Sequence, residues 1–312
     1  MYPYLAVIDI GSNSARLVIY KQISTHEFHL IAEHKSPVRL GEGAYLKNGY
    51  LQPLAIKRAY LALKEFVTII KTYPTSKTHC IATSALRDAP NKLDFIKWIK
   101  EELSLEIQII DGKEEAKLGA IAALNLLPIE NGITIDIGGG SSDIAIIKDS
   151  KIIDTYSLNL GTVRIKELFS TKKNAIEKAE QYIAQELKLL PIHFKTTTAI
   201  SIGGTTRTLS KAIIKLLNNN NEVHTFNYNI KENEIFFKKI LVADKSQLRE
   251  LKIPKNRLDT IKEGTLIWLS ILNKIEAKEV ISSTVGVREG LFLREINFMN
   301  SNQSIKFKKI NN

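Results

Sequence analysis

Cysteine is nearly absent from the 312 residues: Cys80, in "THCIATSA", stands alone. A single thiol excludes an internal disulfide and a cysteine-built metal centre, and leaves Cys80 as a buried structural residue. Long apolar runs are missing too. No stretch reaches the roughly 18 residues of a membrane-spanning helix. The opening "MYPYLAVIDIG" has no basic leader before its apolar stretch, so the sequence reads as cytoplasmic, with no membrane partner and with its first strand starting at once. The six histidines show no metal-ligand spacing beyond His26 and His29, which flank Phe28 too loosely to form a site alone. There is no basic low-complexity arm either, because the lysines are spread along the whole chain. Nucleic-acid binding therefore has no specific signal.

What is present is an ordinary globular composition, 44% hydrophobic and 25% charged, in a chain long enough for two domains. The formal charge is +11. An anionic partner is the natural inference, and a Lys-, Asn- and Ile-rich genome would produce the same excess. Strands are expected at "YLAVIDI", "ARLVIY" and "EFHLIAEHK", then a helix over 51–73 with Leu63, Phe66, Val67 and Ile70 on one stripe. A strand "THCIAT", a helix "NKLDFIKWIKEEL" with Asn91 as N-cap, a strand "LEIQII" and a helix "KEEAKLGAIAALNLL" follow. After "PIENG" the pattern restarts with three strands over "ITIDIGGGSSDIAIIKDSKIIDTYSLNLG". Helices at "TVRIKELF" and "NAIEKAEQYIAQELKLL" lead to the strand "TTTAISIGG" and the helix "TRTLSKAIIKLL". The stretch "NNNNEVHTFN" reads as a mobile polar loop. Helices near 232–242, 257–275 and 288–299 surround the strand "KEVISS", and "SNQSIKFKKINN" reads as a frayed tail. Both halves open with a meander and then alternate strand and helix, which marks an internal duplication of one α/β domain. The boundary is expected near 119–131, giving domains 1–122 and 123–312, with the last helix packing back on the first domain.

The duplication is written most plainly in "IDIGSNSARLVIY" at 8–20 and "IDIGGGSSDIAII" at 135–147. Asp9 aligns with Asp136, Gly11 with Gly138 and Ser14 with Ser141. In each copy an apolar strand delivers a carboxylate, a small-residue turn follows and an apolar strand returns. Such a turn lets backbone N–H groups face a bound phosphate, and the adjacent Asp suits a hard cation such as Mg²⁺. One hairpin alone reads as a tight β-turn. Two in matched domains can clasp one polyanion across a cleft.

The paired loops resemble the phosphate loops of the actin, Hsp70 and sugar-kinase superfamily, whose fold is two ribonuclease-H-like (actin-like ATPase) α/β domains with a cleft between them. Further segments resemble its exopolyphosphatase and guanosine pentaphosphate phosphatase (Ppx/GppA) branch in order: "RLGEG" at 39–43, "ATSALRDAPN" at 82–91, "DGKEEAKLG" at 111–119, "SLNLGTVRIKE" at 157–167, "SIGGTTRTLS" at 201–210 and "VGVREGLF" at 285–292. The likeness covers residues 4–296 and corresponds to a short two-domain form. It implies a Mg²⁺-dependent phosphohydrolase acting on the terminal phosphoanhydride of polyphosphate or on guanosine pentaphosphate, with Glu115 as catalytic base. On residues alone, Glu114 and Glu115 also read as acids complementing a helix N-terminus.

The resemblance further implies Asp9 and Asp136 as Mg²⁺ holders, Asp136 also helping to place the nucleophile. It assigns phosphate binding to Gly11, Ser12, Asn13, Ser14 and Arg16, and to Gly138, Gly139, Gly140, Ser141 and Ser142. Asp143 would order the second loop. Arg39 and Arg87 would bind successive phosphates through their guanidinium forks, or else make surface or inter-loop ion pairs. Gly203, Gly204 and Thr205 would close the distal part of the site. Arg288 and Glu289 read mainly as a helix start with an internal ion pair. Departures include Asp111, where the branch has a small Ser, which would raise the pKa of the base or hinder phosphate, and Lys262 and Glu263, where small apolar residues are commoner. The helical extension with which longer members bind polymer and dimerise is not expected, and the oligomeric state is left open, a homodimer among the outcomes. A sugar or carboxylate kinase would share both loops but aim a base at an acceptor hydroxyl; a non-catalytic polyphosphate or alarmone sensor would lack Glu115.

Overall fold

The chain begins in strand because its apolar residues crowd together: Leu5, Ala6, Val7 and Ile8 are buried in β1 (Tyr4–Ile10), which turns back through β2 (Ala15–Ser24) and β3 (Glu27–Ser36). The computed structural model describes residues 4–218, 220–296 and 306–309. Next come α1 (Pro53–Ile70), β4 (Thr75–Ala82), α2 (Ser84–Asp88), α3 (Lys92–Leu103), β5 (Ile107–Ile109) and α4 (Gly112–Leu126). A second meander of β6 (Gly132–Ile137), β7 (Ser142–Lys148) and β8 (Lys151–Leu158) leads to α5 (Thr162–Phe169), α6 (Ala175–Lys188), β9 (Thr198–Ile202), α7 (Gly203–Leu216) and β10 (Asn227–Asn229). The chain closes with α8 (Glu234–Val242), α9 (Lys245–Glu250), a 3₁₀ turn at Lys255–Arg257, α10 (Ile261–Lys274), β11 (Glu279–Ser282), α11 (Val287–Glu295) and β12 (Lys306–Lys309). Among the described residues no helix is long and apolar enough to cross a membrane.

The strands form two six-stranded sheets, ordered β12-β3-β2-β1-β4-β5 and β10-β11-β9-β6-β7-β8. In the first, β1, β2 and β3 are antiparallel, and β4 and β5 join parallel to β1. In the second, β6, β7 and β8 are antiparallel, and β9 and β11 join parallel to β6. The same 3-2-1-4-5 order appears twice, which is the duplicated ribonuclease-H-like domain that the sequence implies.

Two compact units carry these sheets, one made of the described residues of Met1–Asp111 and Val287–Asn312, the other of Gly112–Gly286. The division therefore falls at Asp111, ahead of the expected 122, and the chain returns to the first unit at Val287. Packing explains the earlier boundary. Ala116, Ala120 and Ala123 form a small-residue stripe on α4 that lies against Ala145, Ile147, Ile200 and Ile202 of the second sheet. The helix bearing Glu115 is thus part of unit 2.

Several local expectations change. Two short helices were not expected: α2, which carries Arg87, and α9, which Asp244 and Gln247 start with a reciprocal capping box. Asn91 precedes α3 but makes no cap; its amide bonds the backbone N–H and C=O of Leu51, tying the start of α1 to α3. Gly203 and Gly204 open α7 and are not part of a loop. The polar stretch ends in β10, which pairs with β11, and Asn219 within it lies outside the described residues. Lys306–Lys309 is no frayed tail but pairs parallel to β3. Residues 297–299 of the expected last helix, and 301–305 and 310–312 of the tail, lie outside the described residues. Cys80 is buried as expected, and burial pushes its thiol pKa well up.

In unit 1, α11 is fixed by an aromatic cluster. Phe292 is fully buried, with ring centroids 4.8 Å from Tyr20 and 4.6 Å from Phe28. Phe292→Ala is expected to destabilise unit 1 by about 3–5 kcal/mol, read from the urea midpoint. In unit 2, Glu263 lies half-buried on α10. Burial raises its pKa, and its own backbone amide, Lys166 and Lys262 only partly offset this. The folded state therefore keeps that proton to a higher pH than the unfolded chain, so stability is lost as pH rises through the raised value. Thermal unfolding of Glu263→Gln should accordingly show a midpoint gain over wild type that is larger at pH 7 than at pH 4.

Candidate active site

The two hairpins have the same internal geometry. Gly11 N–H donates to the Ser14 carbonyl at 3.1 Å, and Gly138 N–H donates to the Ser141 carbonyl at 2.9 Å. Asp9 and Asp136 each occupy the penultimate position of their strand. The residue across the ladder differs: Asp9 faces Arg16, whereas Asp136 faces Asp143. Residues directly opposite on an antiparallel pair share one face, so the first carboxylate has a cation beside it and the second has another acid.

Unit 2 builds its set around the second hairpin. The backbone N–H groups opening α5 bond the hairpin carbonyls, Thr162 to Gly138 at 3.0 Å and Val163 to Gly139 at 2.8 Å. Arg164 Nε adds a bond to the Gly140 carbonyl at 2.7 Å. With those carbonyls held, the turn is rigid. Buried Asp143 accepts from Ser141 Oγ at 3.0 Å and from Ser157 Oγ at 2.5 Å. Ser157 and Asp143 in turn abut Gly112, where any Cβ would overlap Ser157. That close approach seats the N-terminus of α4 at the hairpin, with half-buried Glu115 in its first turn.

Gly203 begins α7 beside Asp136. Its φ is +85°, and a Cβ would overlap Asp136 Oδ1. Thr205 Oγ1 donates to the Ile137 carbonyl at 3.1 Å, and Ser142 Oγ to the Leu160 carbonyl at 2.6 Å. The hydroxyls of Ser141, Ser142 and Thr205 thus serve the fold, which leaves backbone groups as the means by which these residues could meet a phosphate.

Unit 1 carries Asp9, Gly11–Ser14, Arg16, Arg39 and Arg87. The segment after β3 braces its hairpin: Arg39 N–H bonds the Asn13 carbonyl at 3.0 Å and Gly41 N–H the Ser12 carbonyl at 2.8 Å. Ser12 Oγ is buried and has no hydrogen-bond partner. The Arg39 side chain is exposed and 3.8 Å from Glu42. Arg87 Nη1 donates to the Ile110 carbonyl at 3.2 Å, and its Nε is 3.8 Å from Asp88. Arg16 Nη1 is 3.2 Å from Glu33. Burial, followed by the Arg288 charge, lowers the Arg16 pKa.

Sequence reasoning missed two supporting residues, Arg58 and Arg164. Arg58 holds the bracing segment through the Val38 carbonyl at 2.8 Å and Glu42 at 2.6 Å. Arg164 sits inside the quoted "GTVRIKE" and was open to notice. Arg288 and Glu289 find separate partners beyond their own helix: Arg288 Nη1 meets Asp9 Oδ2 at 3.2 Å, and Glu289 accepts from Tyr20 Oη at 2.5 Å. Among the described residues no cluster of three or more His, Cys, Asp or Glu could hold a metal ion. Mg²⁺ needs only one or two carboxylates when phosphates complete its shell, so half-buried Asp136 at the glycine hairpin fits that chemistry.

Duplicated meander sheets, each ending in a glycine–serine hairpin beside an aspartate, define a two-domain protein of the actin-like fold. The sequence pattern of the Ppx/GppA phosphatase family matches residues 18–298. A bifunctional 3-dehydroquinate synthase/phosphatase of Fusobacterium nucleatum is 34% identical over 291 residues, which cover 86% of this chain and 43% of that protein. This chain therefore spans less than half the length of that curated relative. A solved Aquifex aeolicus member of the Ppx/GppA family is 25% identical, with a TM-score of 0.78 over 97% of this chain and 100% of that one. An exopolyphosphatase structure from Cytophaga hutchinsonii, 23% identical, shares the fold with a TM-score of 0.86 over 95% and 99%. The chain belongs to the Ppx/GppA phosphatase family.

Gly203→Ala tests the packing at Asp136 directly. The strained φ and the overlap should cost about 1–3 kcal/mol in urea unfolding.

Proposed function

We propose that this chain is a Mg²⁺-dependent phosphohydrolase that releases the terminal phosphate of inorganic polyphosphate. The observation that carries the reading is the seating of α4: Gly112 rests on Ser157 and Asp143, the residues that order the glycine hairpin, and Glu115 follows in the first turn. A carboxylate held on a helix beside a phosphate-binding turn can accept the proton of an attacking water. Family membership and the likeness to an exopolyphosphatase fold agree with this chemistry.

In this reading the backbone N–H groups of Gly139 and Gly140 bind oxygens of the terminal phosphate, and their rigidity means that little reorganisation is needed as charge develops. Glu115 orients a water in line with the bond to be broken and takes its proton. The water oxygen bonds to phosphorus as the P–O bond to the remaining chain breaks, and that chain leaves as a phosphate oxyanion. Bound Mg²⁺, held through Asp136, would neutralise phosphate charge and ease departure of the leaving group. In unit 1 the Gly11–Ser14 turn, with Arg16, Arg39 and Arg87, is a second set of phosphate-binding groups. The partnerless Ser12 hydroxyl supports that use, since a phosphate oxygen would satisfy it. The +11 charge favours a polyanion in the same direction.

The kinase and sensor readings gain no specific observation. Guanosine pentaphosphate presents the same terminal phosphoanhydride and is the alternative substrate. Glu115→Gln should retain polyphosphate binding while phosphate release falls by about 10²–10⁴-fold, followed by inorganic-phosphate assay alongside a binding titration. Release at the wild-type rate would refute Glu115 as the base.

A further inference from the structure

Duplicated hairpins invite the assumption that duplicated carboxylates do the same work, and the surroundings of Asp9 argue otherwise. Arg288 Nη1 lies 3.2 Å from Asp9 Oδ2, and the side chains keep only 13% and 21% of their exposure. Arg16 stands directly across the ladder from Asp9 and is itself held by Glu33 at 3.2 Å. An arginine guanidinium keeps its charge in a folded protein, so the contact with Asp9 is an ion pair. A divalent cation at Asp9 would sit beside two guanidinium groups and would have to displace one of them.

Arg288 is also poorly able to withdraw. The neighbouring Glu289 accepts from the buried Tyr20 hydroxyl, and Phe292 one turn on is packed against Tyr20 and Phe28. The helix carrying Arg288 is thereby locked to β2 and β3. Arg288 Nε is buried and has no acceptor. Losing Asp9 to a metal would leave this buried group with fewer partners still, which opposes the exchange. At the matching place in unit 2 the ladder partner of Asp136 is Asp143, an acid and not a guanidinium.

We propose that Asp9 is committed to Arg288 and not to a metal ion, so that the divalent cation of this protein is held through the second hairpin alone and Arg288 is the positioning residue of the first. This rests on the Mg²⁺-dependent reading above. It makes the first hairpin an arginine-supported anion site in which Asp9 anchors a guanidinium, and it assigns the two copies of one motif to different ions.

The test is Mn²⁺ binding to the full chain, read by electron paramagnetic resonance in the presence of imidodiphosphate, with folding of each variant checked by circular dichroism. Asp136→Asn is expected to weaken Mn²⁺ binding by about tenfold or more, and Asp9→Asn to leave it unchanged. Should Asp9→Asn fail to fold, Asp9→Ser takes its place. The pair is read separately in thermal melts, where Asp9→Asn and Arg288→Gln together should cost less than the two single losses added. Asp9→Asn weakening Mn²⁺ as much as Asp136→Asn would overturn the proposal; if phosphate release by the wild type still required Mg²⁺, the phosphohydrolase reading would survive. A wild-type protein that takes up no Mn²⁺ overturns both.

Discussion

The Asp143 carboxylate is the interaction on which the second unit depends. One oxygen accepts from Ser141 in the hairpin and the other from Ser157 on β8. Gly112, the first residue of α4, lies against the same pair. A single buried acid thus links the turn proposed to hold phosphate, the strand that backs it and the helix that carries Glu115. Buried carboxylates are costly unless their oxygens are satisfied, and here satisfying them fixes the start of α4 against the turn.

Unit 1 solves the same problem in a different currency of charge. Its ladder position opposite the aspartate is Arg16, and a second guanidinium arrives from Arg288 far along the chain. The first carboxylate is thus paired with a guanidinium, while across the ladder the second faces an acid. One duplicated hairpin motif is thus set in two different charge environments.

The duplication, the meander-first strand order and both hairpins were legible because they are local: apolar periodicity, a strand-end Asp and a run of small residues. The positional alignment of Asp9 with Asp136, each at the penultimate place of its strand, was legible in the same way. What escaped was long-range. That α4 belongs to the second unit depends on its alanine stripe finding Ile200 and Ile202, which no local pattern announces. That Arg288 pairs with Asp9 depends on the chain returning to unit 1 at Val287. The "VREG" segment showed that an Arg and a Glu mattered there, but not that each would find its partner in the first meander. The partners of the serine hydroxyls were hidden for a related reason: only the folded ladder reveals that Asp143 takes that of Ser141 and the Leu160 carbonyl that of Ser142.

The central claim, that the paired hairpins serve hydrolysis of a terminal phosphoanhydride, is tested most directly by measuring inorganic phosphate released by the wild-type chain from polyphosphates of several lengths, guanosine pentaphosphate and ATP, with Mg²⁺ and with chelator. The account predicts release from polyphosphate that stops when Mg²⁺ is removed. Release from none of these substrates, or turnover of ATP only when a sugar acceptor is added, would contradict it.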